Sequence, residues 1–220
     1  MEARLQLRKA GTTSTVGYVS RFMEAPREEH LVAVKRILRY VAGTRGWGVR
    51  YCAGSEKEKL KLVGYSDSDM ADDVDDRKST SGMIYFLSGD AICWQSTKQK
   101  VVALSSCEAE YIALSMAATQ RIWLARLMEE LIGRESDPPM LYVDNKATIS
   151  LIKNPVLHDR SKHIEIRFHY IRECADRGLI KIDFIRREEQ LGDIFTKSLA
   201  RVKFEELRSK IGVQIIRYSF

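Results

Sequence analysis

The chain has little of what disulfide-stapled, zinc-stabilised or membrane-spanning proteins depend on. Its four cysteines among 220 residues, Cys52, Cys93, Cys107 and Cys174, stand far apart with no C-x-x-C pair. That excludes a disulfide framework and a zinc finger, and leaves them as reduced core residues. No apolar run approaches the roughly 20 residues that cross a bilayer. The basic N-terminus MEARLQLRKAGTTST has no apolar stretch behind it, so it does not read as a secretory signal. An intracellular protein with no membrane partner is expected. Internal repeats and low-complexity tracts are absent as well.

What is present is globular composition, 45% hydrophobic and 30% charged, in a chain long enough for one domain with an attached arm. The net charge of +6 is uneven. Residues 146–220 carry 16 Lys/Arg against 10 Asp/Glu, which accounts for all of it. A basic C-terminal third points to a polyanionic partner, because Lys and Arg placed near phosphates release condensed counterions.

Hydrophobic spacing orders the elements. EEHLVAVKRILRYV (28–41) sets Leu31, Val34, Ile37, Leu38 and Val41 at helical intervals before Gly43. A short strand over 48–51 and a charged linker, GSEKEK, follow, and the domain boundary is placed there: residues 1–55 form a helical arm and 56–220 the main domain. KLKLVGYSDSDM, an acidic turn, and two β-rich runs split by Ser88-Gly89-Asp90 predict three antiparallel strands. Next come a long helix over about 106–131, a buried strand MLYVD, a short helix over 145–152 and a helix over about 161–177. A strand LIKIDFI, a helix over 190–199 and a final helix near 201–211 complete the order. The expectation is an α/β fold in which a mixed five-stranded sheet, three antiparallel strands and then two parallel, is flanked by helices.

Four acids stand out. Asp67 ends the first strand, where Val63, Tyr65, Asp67 and Asp69 share one face. Asp144 ends the strand Leu141-Tyr142-Val143, and ligands of open α/β sheets gather at the carboxyl ends of strands. On the long helix, Ser105-x-x-Glu108 fits a capping box, which gives Glu108 a structural task and leaves Glu110 for chemistry. Asp193 lies in the first turns of the helix after Gln190, where the helix dipole favours negative charge. Four converging carboxylates would raise one another's pKa unless cations neutralised them, and two divalent ions supply that charge. Two Mg²⁺ ions roughly 4 Å apart stabilise both the attacking and the leaving oxygen of a phosphoryl displacement.

The blocks GYSDSDMADDVDDRKSTSGMIYFL, AICWQSTKQKVVALSSCEAEYIAL, LYVDNKATISLIKNP, HDRSKHIEIRFHYIRE and EEQLGDIFTK, in that order over about 60–212, resemble the ribonuclease H region of copia-type retrotransposon Pol polyproteins. VSRFMEAPREEHLVAVKRILRYVAGT is similar to the segment that follows the polymerase palm in the same polyproteins, which makes 1–55 a remnant of the reverse transcriptase. The resemblance implies a ribonuclease H-like fold and places catalytic, metal-binding acids on Asp67, Glu110, Asp144 and Asp193. It implies Mg²⁺ as cofactor, two ions with Mn²⁺ as substitute, and an RNA–DNA hybrid as partner, besides other parts of a Pol polyprotein. The implied reaction is endonucleolytic hydrolysis of the RNA strand by a metal-activated water, leaving a 3′-hydroxyl and a 5′-phosphate, with RNA recognised through its 2′-hydroxyls.

The chain departs from the family's usual pattern at Met70, where Trp is common, at Asp72, where Gly is common, and in the drifted segment AGTTSTVG, and it has no histidine in the loop before Asp193, where cellular ribonucleases H commonly carry one. These departures support a second reading, a catalytically weak or inactive nucleic-acid-binding relic. Other chemistries fit less well. Tyr142-Val143-Asp144-Asn145 lacks the second Asp of a polymerase Y-x-D-D. DSDMADDVDD lacks the Gly and Glu of a Ca²⁺ loop. His158, His163, His169 and Cys174 match no common zinc spacing. An integrase would need a different order of acids.

Overall fold

The computed structural model describes residues 16–17, 19–20, 22–51, 60–133, 138–153 and 165–216. Helix α1 (Glu28–Gly43) and strand β1 (Trp47–Val49) lead into β2 (Leu62–Ser68), β3 (Thr80–Leu87) and β4 (Asp90–Lys98). Helix α2 (Ser106–Ile132), β5 (Met140–Val143), α3 (Lys146–Lys153), α4 (Glu165–Asp176) and β6 (Lys181–Phe184) follow. A 3₁₀ turn (Arg187–Glu189), α5 (Asp193–Thr196), α6 (Arg201–Lys210) and β7 (Val213–Ile215) close the order.

The main sheet runs β4-β3-β2-β5-β6, with β4, β3 and β2 antiparallel and β5 and β6 added parallel to β2, as expected. Its hairpin turns at Ser88 and Gly89, whose φ values of 52° and 100° are the left-handed geometry a two-residue hairpin requires. β3 is buried along nearly its whole length because both faces of the sheet are covered. Met83 and Tyr85 join Leu114, Leu141, Val143 and Ile171 on one side, beneath α2 and α4. Ile84 and Phe86 meet Leu191, Leu207 and Ile211 on the other, beneath α6. Each such aliphatic side chain contributes about 1.5–3 kcal/mol when fully buried.

Gly64 and Tyr85 illustrate how tightly the sheet holds α2. They are register partners, and a Cβ at Gly64 would lie 2.3 Å from the Tyr85 ring. The absent side chain lets the ring lie flat and its hydroxyl donate to Ala117 O of α2 at 2.7 Å. The helix itself starts where the sequence places it: Ser105 Oγ accepts the Glu108 N–H at 3.1 Å, and Gly133 ends it at φ 70°. The Glu108 carboxylate accepts from Leu104 N–H at 2.8 Å, one residue before the position a capping box would use.

Two expectations change. The apolar stripe of α1 is largely exposed, with Leu31 at 56% and Leu38 at 61%; the helix buries His30 and Ala33 instead, and Phe22 stacks on His30. The single helix expected over 190–199 is a four-residue α5 preceded by an extended Gln190. Gln190 is fully buried, donating from Nε2 to Ser66 O and accepting the Gly192 N–H on Oε1, so its side chain turns inward at a point a continuous helix would carry past the sheet.

The segment upstream of the boundary touches the C-terminal end. β1 pairs antiparallel with β7, the Arg208 guanidinium lies 3.8 Å from the Trp47 ring centre, and Tyr51 donates to Ala91 O. Among the described cysteines, Cys93, Cys107 and Cys174 are free thiols, and only Cys174 is fully buried. Cys52, His158 and His163 lie outside the described residues; His169 is exposed on α4. No described helix is long and apolar enough to cross a membrane.

Candidate active site

The carboxyl ends of β2 and β5, neighbours in the sheet, open into a cleft of about 760 Å³. Asp67, Glu110 and Asp144 line it, and one carboxylate oxygen from each lies within 4.8 Å of the others. Three of the four acids singled out in the sequence therefore meet. The fourth, Asp193, is buried beside them but outside that trio, with Oδ1 2.6 Å from Lys197 Nζ, one helical turn on.

Each acid is held by a different element. Asp67 is 1% exposed, pairs in register with Gly82, and accepts a hydrogen bond from the Thr196 hydroxyl. α5 can reach it because two glycines leave room. A Cβ at Gly82 would meet Gly192 O at 2.9 Å, and one at Gly192 would meet the Asp67 Cβ at 2.8 Å. Glu110, on the second turn of α2, accepts the Ser68 N–H at 3.3 Å on Oε1, while its buried Oε2 has no hydrogen-bond partner. Gln99 ties the same corner together, donating to Ala109 O, Ser81 Oγ and Ser68 Oγ. Asp144 follows β5, and Asn145 after it caps α3 by accepting the Thr148 N–H.

Burial sets the electrostatics. Desolvation pushes Asp67 up to about 7; Lys197 and the Thr196 hydroxyl oppose the rise, while Asp193 and Asp144 add to it. Glu110 is pushed up to about 9, again by burial first, with Asp67 and Asp144 adding repulsion. Asp144 rises by burial and by Asp193, against Lys197 and Arg187. Burial works against the Lys197 ammonium, but Asp67 and Asp193 outweigh it and its pKa is raised. Asp69, at the cleft edge, also rises to about 6 through burial despite accepting the Thr80 N–H.

Converging carboxylates with raised pKa and a buried oxygen that no protein donor satisfies fit a hard divalent cation, which takes oxygen ligands and favours the ionised form. Sequence reasoning missed Lys197, Gln190 and Thr196. Lys197 could have been found as the i+4 neighbour of Asp193; Gln190 and Thr196 could not, because both act on residues more than a hundred positions away.

A five-stranded sheet of this order, with acids at the ends of its central strands and on the first long helix, defines the ribonuclease H-like class of α/β proteins. No family model matches the chain. Over 198 residues, 90% of its length, it is 46% identical to the retrovirus-related Pol polyprotein from transposon TNT 1-94 of Nicotiana tabacum. Over the same share it is 43% and 40% identical to the Pol polyproteins from transposons RE1 and RE2 of Arabidopsis thaliana. Over 90% of its length the chain thus matches a segment of the retrovirus-related Pol polyproteins of transposons, and it spans 13–14% of the length of these relatives. Among solved structures it is similar to LC11-RNase H1 in complex with an RNA/DNA hybrid (14% identity, TM-score 0.47, 62% of this chain and 94% of that one). It is also similar to a prototype foamy virus protease–reverse transcriptase (13% identity, TM-score 0.43, 75% and 22%).

Proposed function

We propose that this chain carries a copia-type ribonuclease H that cuts the RNA strand of RNA–DNA hybrids, with Asp67, Glu110, Asp144 and Asp193 as its catalytic acids. The observation that supports this most is the meeting of three carboxylates from three separate elements around a buried, unpartnered Glu110 oxygen. The acids would hold Mg²⁺, in a pair or with Mn²⁺ in its place, and the bound ion supplies a Lewis acid and a more acidic water for in-line hydrolysis of a phosphodiester.

The rest falls to the chain's own side chains. Thr196 orients the Asp67 carboxylate, the Ser68 amide fixes Glu110, and Gln190 pins the loop that carries Asp193. Lys146 and Arg187 line the same cleft, and Lys146 lies 4.6 Å from the centre of the Phe184 ring, giving a basic and aromatic edge suited to a nucleic acid strand. Residues 1–55 belong to this proposal as a reverse transcriptase remnant, and 56–220 as the nuclease domain.

A second reading, a nucleic-acid-binding relic, draws on two of the family departures: Met70 and Asp72 both line the cleft, and Asp72 adds negative charge where a phosphate would approach. One assay separates the two. Incubated with Mg²⁺ and a hybrid labelled on its RNA strand, the nuclease releases 5′-phosphorylated fragments and spares the DNA. Binding without cleavage favours the relic.

A further inference from the structure

Helix α1 (Glu28–Gly43) leaves an apolar surface open. Leu31, Val34, Leu38 and Val41 recur three and four positions apart, so they form one stripe, and all four are exposed. The helix buries a different face, that of His30 and Ala33. Charge is ordered along the same helix. Glu28 and Glu29 stand in its first turn, and the charged residues after them, Lys35, Arg36 and Arg39, are all basic. Glu28, Lys35 and Arg39 border the stripe on one side, exposed and without an ion pair among the described residues. Lys35 and Arg39, four positions apart, repel each other and have no acid within a turn of the helix.

We infer that the exposed stripe of α1 pairs with the same stripe of a second copy of this chain, the two helices running antiparallel. A contiguous apolar strip on a folded chain marks a contact surface, and a twofold axis lets one strip serve both partners. Antiparallel alignment brings the acidic first turn of each helix to the basic half of the other and opposes the two helix dipoles. With Glu28 facing Arg39 of the partner subunit, the axis passes close to Val34, and Leu31 lies beside Leu38 of the partner subunit. The uncompensated cations then gain an acid. A parallel pair would set Glu28 against Glu28 and Arg39 against Arg39, and an anionic lipid surface would repel Glu28 and Glu29, so the charge order selects the antiparallel copy over both. A helix of 16 residues is about 24 Å long, so the contact is small and the dimer weak, with a dissociation constant of about 10–100 µM.

Sedimentation equilibrium on the full chain, at concentrations up to about 300 µM, tests this. Wild type should dimerise, and Leu38→Asp, folded by circular dichroism, should stay monomeric. Glu28→Arg and Arg39→Glu should each weaken the dimer about tenfold. An equimolar mixture of those two variants should restore it, and so should both substitutions in one chain, because each altered residue then meets an opposite charge. If Leu38→Asp loses helix content, the charge variants decide, since they keep the stripe intact. Wild type that stays monomeric throughout overturns the proposal, whether or not it binds anionic vesicles. So does a dimer that survives in folded Leu38→Asp, or one that the charge swap fails to restore.

Discussion

Within ten residues of one another, this chain places aspartates in two opposite environments. Asp67 ends β2 under α5, 1% exposed, and burial drives its pKa upward. Asp76 sits in the loop between β2 and β3, and the Lys98 ammonium 2.7 Å away holds its pKa below the usual carboxylate range. Asp73 shares that lysine and folds the loop by accepting the N–H groups of Asp75 and Asp76. The same side chain is thus a buried acid with a raised pKa in one place and a satisfied surface anion in the other. What separates them is not local composition but burial and neighbours: Asp67 is desolvated among other acids, which Lys197 only partly offsets, while Asp76 stays exposed beside Lys98.

The largest effect is expected at the buried site. Asp67→Asn should lower hybrid cleavage by at least about a thousandfold, or about 4 kcal/mol of transition-state stabilisation, with the folded protein still visible by circular dichroism. A variant that retained a tenth of wild-type activity would remove Asp67 from the site.

Stability against pH gives a second, smaller effect, and its sign is opposite to that of an ordinary ion-paired acid. In metal-free protein Asp67 at about 7 and Glu110 at about 9 lie above their unfolded values near 4, so the folded state binds more protons between these limits. Their contribution is present at acidic pH and is lost as pH rises through 7 and then 9. Thermal denaturation in chelator should therefore show a melting temperature that falls by several degrees from pH 6 to pH 9. Mg²⁺, which binds the ionised form, should restore most at the alkaline end, and Asp67→Asn should flatten the chelator curve.

The smallest effect is expected at the loop. Asp76→Asn should leave cleavage within about twofold and the melting temperature within about 2 °C, as for most exposed substitutions. A large loss there would mean that the loop, and not the strand end, carries the charge that matters.

Much of this was legible in the sequence, for reasons that particular residues make plain. Alternation and turn chemistry are local, so the succession of strands along the chain and the hairpin at Ser88-Gly89 could be read directly. Capping is local too, which is why Glu108 could be assigned to the start of α2 and Glu110 left free. The convergence of Asp67, Glu110 and Asp144 is non-local, and without the resemblance only the strand-end rule hinted at it. The packing of α5 was hidden altogether. It depends on Gly82 and Gly192 leaving space and on Gln190 reaching back to Ser66, contacts between segments about a hundred residues apart. The pairing of β1 with β7 was hidden for the same reason.

Crystals grown with Mn²⁺ and measured at a wavelength where manganese scatters anomalously offer the most direct test. The buried trio should show a peak bridging Asp67, Glu110 and Asp144 at ligand distances of about 2.0–2.3 Å, while the Asp72–Asp76 loop should show none. An empty trio, or manganese bound only at that loop, would contradict the account.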